Sequence, residues 1–215
     1  MKSFVVLGIG RFGSSLARTL YRLGHEVLAI DDDEDVIQEI ADDVTHAVVG
    51  DCVDENTLRS LGVRNFDVAI VAIGGELQSS ILATVVLKDL GVKHIVAKAQ
   101  SDLHAKVLKR VGADKVVFPE RDMGIRLANN LSSENILDYI ELSPDYSIAE
   151  IMVPPNWIGQ TLKDLNVRAK YGITILACKN GSGIHVAPAP EYKLGTEDDL
   201  VVLGANDDLS SLQKS

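Results

Sequence analysis

Val6-Leu7-Gly8-Ile9-Gly10-Arg11-Phe12-Gly13 closes an apolar run that begins at Ser3 and opens an amphipathic segment over 14–23. A G-x-G-x-x-G by itself is a weak pattern. Between a strand and a helix it is the turn that cradles a phosphate. Gly8 is suited to the tight turn, Gly10 to close approach of a phosphate, and Gly13 to close packing of helix on strand. The unpaired N–H groups and the positive end of the helix dipole then favour an anion at that point.

Outward from this turn the chain repeats one rhythm. Runs rich in Val, Ile and Ala at 3–7, 26–30, 47–50, 68–73, 94–97 and 115–118 read as strands buried on both faces. Helical segments lie between them, and Leu23-Gly24, Leu61-Gly62, Leu90-Gly91 and Val111-Gly112 place a glycine at each helix end. Such alternation implies right-handed βαβ crossovers. The expected fold is α/β: a doubly wound, parallel, six-stranded Rossmann-type domain. A helix over 121–137 should follow, with Met123, Leu127, Leu131, Ile136 and Leu137 as its apolar stripe. It either packs on its own sheet or crosses to a second copy of the chain.

Beyond Tyr139 the rhythm changes. A turn at 141–146 precedes strands at 148–153, 173–177, 185–187 and 200–203 and a short helix near 162–165. This is a small α+β domain with its own core. The domains are therefore expected at 1–140 and 141–215.

The strand ends supply candidate site residues. Asp31 ends the second strand, where an acid accepts hydrogen bonds from a ribose hydroxyl. Asp32 and the acids after it would repel a 2′-phosphate, which disfavours NADP. Arg11, with Phe12 beside it in the glycine loop, adds a cation that can hold a terminal phosphate. Asp51 and Cys52 end the third strand, where a base would lie, and Ile73-Gly74 ends the fourth. Lys98 and Glu120 end the fifth and sixth, suiting either a phosphate with a cation or a simple salt bridge.

Composition narrows the function. The chain has 215 residues, 46% of them hydrophobic, and a net charge of -10 with no basic stripe. Nucleic acid and anionic membrane surfaces are thereby disfavoured as partners. No apolar run reaches the roughly 18 residues of a membrane span, and a cytoplasmic protein without membrane insertion is expected. Cys52 and Cys178 match no metal spacing and read as buried free thiols. His25, His46 and His94 fall at strand starts and His104 in a helix, so no acid–base group is placed for catalysis. The expected protein is not an enzyme. The alternative is an NAD-dependent oxidoreductase with a small accessory domain.

The glycine stretch combines with Val71-Ala72-Ile73-Gly74, Val96-Ala97-Lys98-Ala99-Gln100, Gly112-Ala113-Asp114, Phe118-Pro119-Glu120-Arg121-Asp122-Met123 and Asp164-Leu165-Asn166-Val167-Arg168-Ala169-Lys170-Tyr171-Gly172. In this combination the chain resembles the regulators of potassium conductance, and among them the Ktr-type cytosolic gating subunits of bacterial potassium transporters. The resemblance implies homodimers forming an octameric ring docked on a membrane transporter subunit. It implies an N-terminal site for ATP or ADP, or NAD(H). There Gly8, Gly10, Arg11 and Gly13 would hold the phosphates, Asp31 the ribose, and Asp51 the base. Arg11 would sense the third phosphate, and Glu120 would join Mg or another cation beside ATP. The helix from Arg121 would then cross to the partner copy. The resemblance also implies cyclic di-AMP binding in the C-terminal domain, with Arg168, Ile173, His185, Ala187 and Pro188 as the positions to test. The chain departs from the pattern at the glycine-rich hairpin 180–183.

Overall fold

A computed structural model describes residues 1–132, 136–143 and 145–212. They divide into two compact units, Met1–Glu120 and Arg121–Ser215.

The first unit is a parallel sheet of β1 (Ser3–Leu7), β2 (Glu26–Asp31), β3 (His46–Val49), β4 (Val68–Val71), β5 (Ile95–Lys98) and β6 (Lys115–Val117). Their spatial order is β3-β2-β1-β4-β5-β6. Successive side chains of a strand point to opposite faces, and both faces here are apolar. Val5, Leu7, Leu28, Ile30, Ala69 and Val71 enter one core cluster. Val6, Val27, Ala29 and Ile70 enter the other. That division explains why these strands read as unbroken apolar runs.

The crossovers carry α1 (Arg11–Arg22), α2 (Glu34–Ile40), α3 (Glu55–Ser60), α4 (Leu77–Asp89) and α5 (Asp102–Val111). Asp33 caps α2 by accepting from the amides of Asp35 and Val36. Glu34 and Asp35 in the first turn add favourable charge at the positive end of the helix. The acids after Asp32 are thus accounted for by helix capping. The chain leaves β1, winds outward through β2 and β3, and returns to β4 on the other side of β1. The order reverses between β1 and β4, which opens a crevice at their carboxyl ends.

The second unit is antiparallel, with β7 (Ile136–Glu141), β8 (Tyr146–Met152), β9 (Thr174–Asn180), β10 (Gly183–Val186) and β11 (Asp199–Ala205) in the order β10-β9-β11-β8-β7. Trp157, Leu165, Ile173, Leu194 and Leu200 are buried in its core, and the Trp157 and Tyr171 rings lie 4.9 Å apart. Its helices are α7 (Leu162–Leu165), α8 (Val167–Tyr171) and α9 (Asn206–Ser211).

The segment read as one helix over 121–137 is corrected. The helix α6 (Pro119–Ser132) stops earlier, and Ile136 and Leu137 belong to β7. A short apolar run fits either period, and antiparallel pairing with β8 decides for the strand. All of β7 but Glu141 falls in the stretch 1–140 assigned by sequence to the first domain, yet β7 pairs into the second sheet. Met123, Ile125, Leu127 and Leu131 of α6 are exposed. Pro144, in the turn expected over 141–146, lies outside the described residues.

Candidate functional site

β1 delivers the chain into the glycine turn under tight constraint. Gly8 has φ +89°, a conformation L side chains rarely adopt, and a Cβ there would sit 3.0 Å from the Ile73 backbone nitrogen. At Gly13 a Cβ would collide with the Gly8 carbonyl oxygen. Gly10 is different, because a Cβ there would meet nothing within 4 Å. Two of the three glycines therefore serve the packing of α1 on the sheet, and the middle one leaves its side of the turn open. α1 begins at Arg11, within the glycine pattern and earlier than the 14–23 expected.

The turn forms one wall of a cleft of about 560 Å³. Gly8, Gly10, Arg11, Phe12, Asp31, Asp32, Asp51, Cys52, Ile73, Gly74, Lys98 and Glu120 all line it. Of the first-unit candidates, Gly13 alone is absent from the lining, for the packing reason above. Several lie just past the strand ends assigned to them. Asp51 and Cys52 follow β3, Ile73 and Gly74 follow β4, and Glu120 is the second residue of α6. Val53, Ala72, Gly75, Glu76 and Ser79 complete the lining and were missed. The pair Gly74-Gly75 was their one sequence signal.

Asp31 ties the turn to β2. Its carboxylate accepts from the Ile9 amide at 2.5 Å and the Asp33 amide at 3.0 Å. Each oxygen keeps a lone pair for a hydroxyl. Asp51 accepts from the Val53 amide at 2.8 Å, which shapes the turn after β3. The Cys52 thiol donates to the Ile30 carbonyl at 3.4 Å. Burial pushes its pKa up to about 12, and the carboxylates of Asp31, Asp32 and Asp51 add to the rise. The thiol thus keeps its proton and lines the cleft as a neutral group.

The opposite wall is charged. Lys98 Nζ lies 2.5 Å from Glu120 Oε1, with the lysine side chain 11% and the glutamate 69% exposed. The ammonium also stands 5.8 Å from the Phe12 ring centroid. The hydrogen bond from Lys98 holds the Glu120 carboxyl below its usual range, and the Arg11 charge assists. Both readings of this pair, salt bridge and ligand-facing charges, share one geometry. Among the described residues no group of three or more His, Cys, Asp or Glu could hold a metal ion. Any divalent cation at Glu120 would need phosphate oxygens and water for its remaining ligands.

Residues 4–119 match the TrkA-N domain and residues 148–215 the TrkA-C domain. The chain is 50% identical over 213 residues to Ktr system potassium uptake protein C of Bacillus subtilis, covering 99% of this chain and 96% of that one. The chain belongs to the TrkA family. Within it the likeness is to the Ktr type. Ktr system potassium uptake protein A of the same organism is 47% identical over 212 residues, covering 99% and 96%. The protein of that name from Vibrio alginolyticus is 37% identical over 214 residues, covering 100% and 97%. Among solved structures, the GsuK RCK domain shares the fold with a TM-score of 0.70 at 22% identity, covering 99% of this chain and 47% of that one. The GsuK channel bound to NAD shares it at 0.67 and 22%, covering 98% and 38%. No helix among the described residues is long and apolar enough to cross a membrane.

In the second unit the family-implied positions separate. Arg168, Ile173 and Pro188 line a shallow hollow of about 380 Å³ with Asn166, Thr174 and Pro190. His185 and Ala187 do not line it. His185 lies opposite Cys178 in the β9–β10 pair, with its ring 5.9 Å from that of Tyr192. Ala187 takes φ +48° and donates its amide to the Leu176 carbonyl at 2.8 Å. The Cys178 thiol is buried and pushed up to about 11 by that burial, with Asp198 adding to the rise. The hairpin at Asn180 is held by its side chain, which accepts from the Ser182 amide and hydroxyl and donates to Asp198.

Proposed function

We propose that this chain is a regulatory subunit of a Ktr-type potassium transporter that binds adenine nucleotides in the first-unit cleft and catalyses no reaction itself. One observation carries the reading. A glycine turn with an open face lines one cleft together with the carboxylates of Asp31, Asp32 and Asp51 and the cations of Arg11 and Lys98, at the reversal of the sheet. Phosphates would lie on the Gly8–Gly13 turn, where the α1 amides and Arg11 meet them. A ribose would lie against Asp31, and a base near Asp51. Asp31 and Asp32 together oppose a 2′-phosphate, so ATP, ADP and NAD(H) suit the cleft and NADP does not.

Arg11 supplies the discrimination. A guanidinium beside the turn gains more from a third phosphate than from two, and a ligand shifts an equilibrium only by its differential affinity. Coupling of about 1–3 kcal/mol per site suffices when several sites act together. Glu120 would join Mg or another cation beside a triphosphate, sharing its carboxylate with Lys98. The exposed stripe of α6 suits a crossover to a second copy, and the dimers would assemble into an octameric ring docked on the transporter at the cytoplasmic face. Cyclic di-AMP would bind in the second unit near Arg168.

The test is a thermal-stability titration with ATP, ADP, NAD, NADH, NADPH and cyclic di-AMP. A ligand at 100 times its Kd adds about 2.7 kcal/mol. We expect stabilisation by adenine nucleotides and none by NADPH, followed by nucleotide-dependent potassium flux in vesicles containing the transporter. No response to any adenine nucleotide would overturn the reading.

A further inference from the structure

His104 is the largest fully buried polar side chain of the first unit and lies outside the cleft lining. It sits in the first turn of α5 and is 1% exposed. Its Nδ1 accepts from the Gln100 amide at 3.3 Å, and its Nε2 lies 2.8 Å from Ser80 Oγ. With Nδ1 accepting, Nε2 carries the proton and donates to Ser80. The Ser80 hydroxyl then donates to the Leu77 carbonyl at 3.1 Å. Burial holds the imidazole pKa below its ordinary value, and no charged group offsets it.

The other end of the chain of bonds reaches the cleft. The Gln100 side-chain amide donates to the Gly74 carbonyl. Gly74, Gly75, Glu76 and Ser79 form the rim between β4 and α4. Two consecutive glycines carry the largest backbone entropy of any residues and have no side chains to anchor themselves. The rim is tied from outside, through Gly74 to Gln100, His104 and Ser80, back to the first turn of α4.

We propose that His104 is a positioning residue for the nucleotide cleft, setting Gln100 so that Gln100 holds the rim at Gly74. This rests on the reading that the cleft binds adenine nucleotides. The variants are Gln100→Met, which removes one amide from an exposed side chain, and His104→Phe, which keeps a ring and removes both bonds.

In the full chain, ADP titration calorimetry should show about a tenfold loss for either variant, the scale of one hydrogen bond. The double variant should lose little more, since the two residues act through one path. His104→Gln, with an acceptor and a donor, should recover part of the loss. Without ligand, deuterium uptake over residues 73–79 should rise in both single variants. Unchanged uptake there, or unmodified ADP affinity in Gln100→Met while the parent binds ADP, overturns the positioning role alone. Full additivity in the double variant overturns it too. A parent that binds no ADP overturns both readings. If His104→Phe does not fold, Gln100→Met and its uptake decide.

Discussion

The two units gather side chains in opposite ways. In the first, residues from the ends of five strands and from the start of α6 converge on one cleft of about 560 Å³. In the second, five positions expected to share a ligand divide, three into a shallow hollow of about 380 Å³ and two elsewhere. The difference follows from sheet type. Parallel strands all finish on the same edge, so whatever follows each strand arrives at the same place. Antiparallel strands finish on alternating edges, and neighbours in sequence separate. Residues chosen at strand ends therefore gather in one lining in the first unit and divide in the second.

Experiments that break or sharpen this contrast start with the largest effect. Asp31→Ala should abolish stabilisation by adenine nucleotides, removing the whole of the roughly 2.7 kcal/mol that a saturating ligand adds. Its own cost comes from leaving the Ile9 and Asp33 amides without their acceptor. A retained nucleotide response in a thermal melt would show that the ribose lies elsewhere. Gly13→Ala forces a methyl group against the Gly8 carbonyl and should destabilise the first unit by about 1–3 kcal/mol in urea denaturation. Gly10→Ala should cost much less stability, because its side of the turn is open, and it should weaken phosphate binding instead.

Arg11→Ala should compress the ratio of ATP to ADP affinity by about tenfold and leave ADP binding largely intact, as read by calorimetry. Arg168→Ala should weaken any cyclic di-AMP response and leave the ATP and ADP titrations unchanged. Loss of ADP binding in Arg168→Ala would mean the two units do not act as separate binding bodies.

The smallest effect is on pH. His104 has a folded pKa below its unfolded value, so the unfolded chain binds the proton more readily. Its contribution to stability is present above the unfolded pKa of about 6.5 and is lost as pH falls from there toward the folded pKa. His104→Phe should flatten that part of a melting-midpoint profile.

The legible parts of the sequence were those set by local chemistry. Ser3–Leu7 was read to the residue because a strand buried on both faces is apolar throughout. A short helix near 162–165 was legible as well, with Thr161 accepting from the Asp164 amide at its start. The cleft lining was legible at the ends of strands. Glu76 and Ser79 were missed because they lie where α4 opens, with the neighbouring pair Gly74-Gly75 as the one mark that the loop faces the cleft. Ile136 and Leu137 were misassigned because their apolar spacing fits a helix, whereas their backbone bonds are completed by β8.

By itself the sequence determined the alternation of strands and helices in the first unit, the phosphate-type turn and the family, since each rests on residue types at short spacing. Only the tertiary structure decided that Gly10 keeps an open side where Gly8 and Gly13 do not, that Lys98 holds Glu120, and that His104 connects to Gly74 through Gln100. Those are contacts between residues far apart in the chain or buried together. Their existence depends on how the sheet and helices pack, which no local pattern encodes.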